Sequence, residues 1–337
     1  MRELKYDTAS TLHGLRVITL DNGLLRLQIL PEAGARVWQI SYLPLGVDLL
    51  WNNPVIPPSR HFLHDSYDDV WSGGWDELFP NDEETMIGGE KFPDHGELWS
   101  GNWQAEPFSS HNEVGCKLSF KTPLSCVAIE KTVTLRPDRA KVYCHYNFTN
   151  LGSRSFPFLW KLHPALYVTP QHRIDFPTMQ VVREPAFAGT LEEAPLQFRW
   201  PYAHLASRTV DLRRVPSVAE RELYFFYGTQ MEGGWCALTN TATQLSCGLK
   251  FDPELFPSCW LFASYGGWRN YDVAVLEPST GYPLNFDAML SAGRHRTLAP
   301  GQTLATDVLF IVQRGVASVS HIDDDGKIFS EPRSNRS

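Results

Sequence analysis

No run of about 20 apolar residues occurs in this 337-residue chain, so a membrane-spanning helix is not expected. Positive charge is not in excess either, since 30 Lys and Arg stand against 38 Asp and Glu, a formal charge of -8. Nucleic-acid binding needs a concentrated basic face, so DNA and RNA are not expected partners. The six cysteines (Cys116, Cys126, Cys144, Cys236, Cys247, Cys259) contain no C-x-x-C pair, which argues against a zinc ribbon or a dithiol redox motif. Buried apolar thiols are their expected role. Neither H-x-H nor H-E-x-x-H spacing occurs, and no Gly-rich phosphate cradle is present, so neither metal nor cofactor is expected. The opening MRELKYDTAS has no apolar stretch behind its charges, which makes the cytoplasm the expected location and gives the glycosylation-like triplet at Asn147 no weight.

What is there is strand signal. Leu25, Leu27 and Ile29 alternate with Arg26 and Gln28, and Cys116, Leu118 and Phe120 alternate with Lys117 and Ser119, the period of half-buried strands. The pattern returns in Val142, Cys144, Tyr146 and Phe148, in Leu245, Cys247, Leu249 and Phe251, and in Val308, Phe310 and Val312. Turn signals such as Asp21-Asn22-Gly23 and Arg136-Pro137-Asp138 punctuate these runs, as tight antiparallel connections require. The reading is an all-β chain with sheet packed on sheet. Helical spacing is confined to a short turn over Val218 to Leu223. A single domain over 1–322 is expected, followed by a polar and mobile C-terminal tail, 323–337.

Two segments resist the strand reading. Residues 51–107 hold Trp51, Trp71, Trp75, Trp99 and Trp103 among Asp, Gly, Pro and His, with Trp38 just upstream, and read as a long aromatic loop region. Residues 264–281 carry Gly266-Gly267-Trp268-Arg269-Asn270-Tyr271 ahead of an apolar run ending in Glu277-Pro278. Three places have residue types suited to chemistry. Lys161 and His163, two apart in a strand, share one face. His95 sits in a turn between Asp94 and Glu97, followed by Trp99. Glu277 shares a face with Val273 and Val275, turned inward if they are. Read from the residues alone, each has a structural alternative: a histidine bonded to a neighbouring turn, a solvated turn, and a buried ion pair with an arginine. The sharper alternative for Glu277 is a general base whose pKa is raised by burial.

Taken in order, these segments resemble the aldose 1-epimerase family and the wider galactose mutarotase-like superfamily. The carriers are Leu30-Pro31-Glu32-Ala33-Gly34-Ala35-Arg36-Val37, Gly73-Gly74-Trp75-Asp76-Glu77-Leu78-Phe79-Pro80, Asp94-His95-Gly96-Glu97-Leu98, Phe148-Thr149-Asn150-Leu151-Gly152 leading to Leu162-His163-Pro164-Ala165-Leu166, and Leu276-Glu277-Pro278 before Thr280-Gly281. The resemblance covers most of the chain. It implies a large twisted antiparallel β-sandwich, the galactose mutarotase-like supersandwich, with a sugar cleft on a concave face. It further implies His163 as general acid, Glu277 as general base and His95 as partner at the ring oxygen, with no cofactor or metal. Interconverting anomers takes a proton from the anomeric hydroxyl and gives one to the ring oxygen, so two titratable groups suffice.

Around these, Arg36, Asp76, Trp99, Lys161, Trp268 and Arg269 are the expected substrate-binding residues, the tryptophans as platforms for sugar C–H faces. The hexose-6-phosphate branch typically has Arg at the fourth position after the His of its H-G motif, where this chain has Trp99, which disfavours a phosphorylated substrate. The galactose mutarotases have H-P-Tyr-Phe where this chain has His163-Pro164-Ala165-Leu166, which disfavours galactose. Lys161, Arg36 and Arg269 instead suggest an anionic hexose, such as a uronate or a sulfonated sugar. The expected partner is a small-molecule sugar, bound by a monomer or homodimer. Two alternatives stand beside mutarotation: a non-catalytic sugar-binding or sensing protein on the same scaffold, and a glycoside hydrolase or polysaccharide lyase pairing Glu277 with Asp76, Glu77, Asp94 or Glu97.

Overall fold

The computed structural model describes residues 3–187 and 189–330. Two antiparallel sheets carry the fold. The larger, of 12 strands, runs in the order Lys5–Asp7, Ile18–Asp21, Leu25–Leu30, Arg36–Tyr42, Trp75–Leu78, Lys161–Tyr167, Asp272–Ser279, Ser258–Tyr265, Glu222–Thr229, Gln180–Arg183 and Gln197–Arg199, with Val47–Asp48 paired beside Arg36–Tyr42. The second, of 8 strands, runs Gln104–Ser109, Val114–Lys121, Val127–Leu135, Lys141–Asn150, Thr303–Arg314, Leu245–Lys250, Trp235–Asn240 and His172–Asp175. Strands neighbouring in space are often far apart in sequence, so the sandwich is closed by long-range pairing.

The alternating patterns fall where the sequence puts them. Leu25, Leu27 and Ile29 are buried on one face of their strand, and Val142, Cys144, Tyr146 and Phe148 on one face of theirs. They meet in a single apolar core between the sheets, where each fully buried aliphatic side chain contributes about 1.5–3 kcal/mol. Five cysteines are buried, as expected of apolar thiols, while Cys126 is exposed in a turn. Val218–Glu220 forms a 3-10 turn capped by Ser217, and the chain is extended again from Glu222.

Two expectations need correction. Residues 51–107 are not loop throughout, because Trp75–Leu78 is a central strand of the large sheet and Thr85–Ile87 pairs with Glu90–Phe92 as a hairpin. Its four residues are too short for alternation to show, and all four are buried. Beyond Asp323 the chain is not free of the body, since Ile328–Phe329 pairs with His321–Ile322 and Ile328 packs against Trp235, Ile311 and Ile322. One apolar residue in a polar stretch anchors it there; residues 331–337 of the expected tail lie outside the described residues. Among the described residues no helix is long and apolar enough to cross a membrane.

Candidate active site

The site is built on the middle of the large sheet, on the face turned away from the second sheet. Lys161–Tyr167 lies between Trp75–Leu78 and Asp272–Ser279, with His163 opposite Asp76 and Lys161 opposite both Leu78 and Ser279. Alternation then sorts the side chains. Leu162, Leu166, Ala274 and Leu276 enter the core between the sheets. Lys161, His163 and Ala165, with Val273, Val275 and Glu277, take the opposite face, where Ala165 and the two valines pack under Trp51, Tyr67, Trp71 and Trp99. Glu277 therefore shares a buried face with Val273 and Val275 as expected, but that face is roofed by loops and not by the second sheet.

The roof comes from the two segments that resisted the strand reading. A single helical turn, Tyr67–Val70, sets Tyr67 and Trp71 over the sheet. Across from it, Ser264 Oγ lies 2.9 Å from the carbonyls of both Trp268 and Tyr271, sharing its one proton between them, and accepts from the Trp268 N–H at 3.1 Å, which pins the turn that carries Trp268. Gly266 in that turn has φ of +79°, and a Cβ there would lie 2.3 Å from the carbonyl oxygen of Val218. The segments interlock through rings, with Trp51 5.0 Å from Tyr271 and Trp71 6.3 Å from Trp268, and through Asn53, which donates to the Tyr271 hydroxyl at 2.8 Å.

His95 reaches the same place by an unusual route. It adopts φ of +62°, rare for a residue with a side chain, and is followed by Gly96, where a Cβ would sit 2.1 Å from the Phe79 carbonyl oxygen. This left-handed pair lets the backbone N–H of His95 donate to the Asp82 carbonyl at 2.5 Å, locking two loops together. It also lays the His95 ring flat on Tyr67, with centroids 4.0 Å apart and planes within 10°. The result is a cavity of about 270 Å³ lined by His95, His163, Lys161, Glu277, Asp68 and Asp82, with Tyr67, Trp71, Trp268, Phe187, Phe225 and Phe262 as its apolar walls.

The electrostatics follow from burial and pairing. Lys161 is held by two carboxylates, 2.6 Å from Glu277 and in an ion pair with Asp82, and its ammonium lies 4.0 Å above the Trp260 ring. Burial opposes its charge, but Asp82 and Glu277 outweigh that and raise its pKa. Burial raises the pKa of Glu277, and Lys161 only partly offsets it. His163 is pushed well below the usual histidine range, first by burial and then by the charges of Lys161, His95 and Arg36. Burial also acts against the charge on His95, yet its pKa is raised, by the 2.8 Å contact with Asp94 and by the negative charges of Asp82 and Asp68.

A chain of hydrogen bonds fixes the state of His163. Arg36 donates from Nε to Asp76 at 2.7 Å, and the Tyr67 hydroxyl donates to the other oxygen of Asp76 at 3.0 Å. Tyr67 has only one proton to give, so its oxygen accepts from His163 Nδ1, 3.2 Å away. The neutral imidazole thus carries its proton on Nδ1 and leaves Nε2 as an acceptor. The shifts therefore favour a proton on His95 over one on His163, although the resemblance assigns the acid role to His163. The two rings are 6.2 Å apart, and the charge of His95 is one of the causes that lower the pKa of His163.

Of the residues singled out in the sequence, His95, His163, Glu277, Lys161 and Trp268 converge on the cavity. Arg36 and Asp76 stand behind His163 and line nothing. Trp99 is fully buried, edge-on to Tyr67 at 5.1 Å, with its N–H donating to the Asp94 carbonyl. Arg269 lies at the surface, 2.8 Å from Asp69 and over the Trp268 ring at 4.9 Å. Tyr67, Asp68 and Asp82 also line the cavity without being singled out by sequence, and Trp71 stands out in the sequence only as part of the aromatic region 51–107. Its density of aromatics and carboxylates was their only signal. The four carboxylates proposed to pair with Glu277 are occupied elsewhere: Asp76 by Arg36, Glu77 by Lys131, Glu97 by the amides of Leu124 and Ser125, and Asp94 by His95. Among the described residues no group of three or more His, Cys, Asp and Glu is arranged to hold a metal ion.

The chain matches no family model and no curated protein. Solved structures do resemble it. A candidate aldose 1-epimerase from Klebsiella pneumoniae aligns over 92% of this chain and 83% of its own, with TM-score 0.72 and 14% identity. A candidate aldose 1-epimerase from Escherichia coli K12 aligns over 89% of this chain and 100% of its own, with TM-score 0.64 and 18% identity. A galactose mutarotase-like protein from Clostridium acetobutylicum aligns over 93% of this chain and 99% of its own, with TM-score 0.64 and 11% identity. At these identities the likeness establishes the fold, which is galactose mutarotase-like, and fold alone does not fix an activity.

Proposed function

We propose that this protein is an aldose 1-epimerase, interconverting the α and β anomers of a free sugar by acid–base ring opening and reclosure in the cytoplasm. The observation that carries the reading is the meeting of two imidazoles whose pKa values are pushed in opposite directions and a buried carboxylate in one aromatic-walled cavity. The aromatic rings take the apolar faces of the sugar ring. His95 donates its proton to the ring oxygen, while Glu277, made more basic by burial, removes the proton from the anomeric hydroxyl. The C1–O5 bond breaks, the C1–C2 bond rotates, and reclosure on the other face of C1 returns both protons. His163 offers Nε2 to a sugar hydroxyl, and once His95 is neutral the opposition to a proton on His163 falls.

The test is anomer exchange followed by saturation-transfer NMR, with catalytic protein added to neutral, amino, uronic and phosphorylated aldoses. Acceleration of exchange supports the proposal. Binding without exchange identifies a sugar sensor instead, and release of reducing ends from a glycoside identifies a hydrolase.

A further inference from the structure

The charges around the cavity are not those an anionic sugar would need. Each cationic side chain expected to read such a group is already matched. Lys161 is shared by Glu277 and Asp82, Arg36 is paired with Asp76 at 2.7 Å, and Arg269 with Asp69 at 2.8 Å. A uronate or phosphate entering the cavity would have to displace one of these carboxylates and would face the rest.

One carboxylate of the cavity has no bonded partner. Asp68 lines the cavity from the helical turn Tyr67–Val70, and among the described residues it makes no hydrogen bond and no ion pair. It is half-buried, and desolvation, with the negative charges of Asp94 and Asp82, raises its pKa against the opposing charges of His95 and Arg269. A desolvated carboxylate without a partner carries a cost that a bound cation removes. Its neighbour in sequence, Tyr67, lies flat against His95, so a group reaching Asp68 also sits beside the proposed proton donor. Trp71 and Trp268 line the same cavity, and aromatic rings attract an ammonium group.

We propose that the preferred substrate is an aldose carrying a protonated amino group, with Asp68 as the residue that reads the ammonium. The proposal rests on the mutarotase reading for turnover, but its selectivity is a property of binding. A charge-assisted hydrogen bond at a half-buried carboxylate corresponds to about a tenfold gain in affinity.

The experiment measures dissociation constants at pH 6.5, where the amines are protonated, for glucose, glucuronate and the 2-, 3- and 6-amino-deoxyglucoses, on the wild-type protein and on Asp68→Asn. Anomer exchange is recorded on the same samples. At least one aminoglucose is expected to bind about tenfold tighter than glucose, and glucuronate at least tenfold weaker. In Asp68→Asn the ratio of aminoglucose to glucose affinity should fall to about one. The proposal is overturned if no aminoglucose exceeds glucose, if glucuronate matches it, or if the ratio survives in Asp68→Asn. A ratio that behaves as expected with no exchange on any sugar supports the ammonium site while refuting mutarotation, so the two claims fail separately.

Discussion

Two buried Lys–Glu pairs lie on opposite faces of the large sheet, the inner one bridging to the second sheet, and the contrast between them separates structure from chemistry. On the inner face Lys131 lies 2.7 Å from Glu77, and the Tyr146 hydroxyl donates to the same oxygen of Glu77 at 2.8 Å, closed in by the core. On the outer face Lys161 lies 2.6 Å from Glu277, and the pair opens onto the cavity with His95 and His163. The residues and distances are nearly the same. What differs is access: a pair sealed from ligand can only hold the sheets in register, whereas one that borders a cavity can exchange a partner for a substrate hydroxyl.

Breaking the inner pair has the largest expected effect, on stability and not on rate. Lys131→Met leaves Glu77 buried without a counter-charge and should cost about 3–5 kcal/mol in denaturant unfolding, with kcat of the folded fraction unchanged. Restoring that stability by adding Glu77→Gln would sharpen the point, because a neutral pair at this position is close to neutral in energy. Next is the outer pair. Glu277→Gln and His163→Ala should each lower kcat for anomer exchange by about 100-fold or more, with sugar binding retained in NMR titration.

Smaller effects test the links between groups. Tyr67→Phe frees the tautomer of His163 and should reduce kcat about tenfold, since the phenyl ring keeps the stacking on His95 but loses the hydrogen bond. The pH profile should be bell-shaped. His95 has a raised pKa, so its proton is present below the ordinary value near 6.5 and is lost as pH rises through the raised one; the alkaline limb lies above about 6.5 and moves to lower pH in Asp94→Asn. Arg269→Ala is expected to change kcat by no more than about twofold, because that side chain is spent on Asp69 at the surface.

The alternating strands and the three motif residues were legible because each signal is local. Period two survives any tertiary arrangement, and the H-P and E-P segments keep His163 and Glu277 at fixed places on their strands. Even the shared face of Lys161 and His163 followed from spacing alone. Side-chain aim in loops did not. Trp99 stands four residues after His95, yet its ring packs edge-on to Tyr67 while the left-handed turn at His95 stacks the imidazole flat on the same tyrosine. Arg36 and Arg269 lie in motif segments, but the carboxylates that neutralise them come from 40 and 200 residues away. Asp68 and Asp82 differ from other loop carboxylates only in what the fold brings near them, and nothing in the sequence sets them apart.

The central claim is that chemistry belongs to the outer pair, and it is tested most directly by recording anomer exchange, with saturation-transfer NMR, for wild type, Glu277→Gln and Glu77→Gln on sugars that bind. Acceleration by wild type and by folded Glu77→Gln, with near-complete loss in Glu277→Gln, is the predicted result. Equal exchange rates for wild type and Glu277→Gln would contradict it.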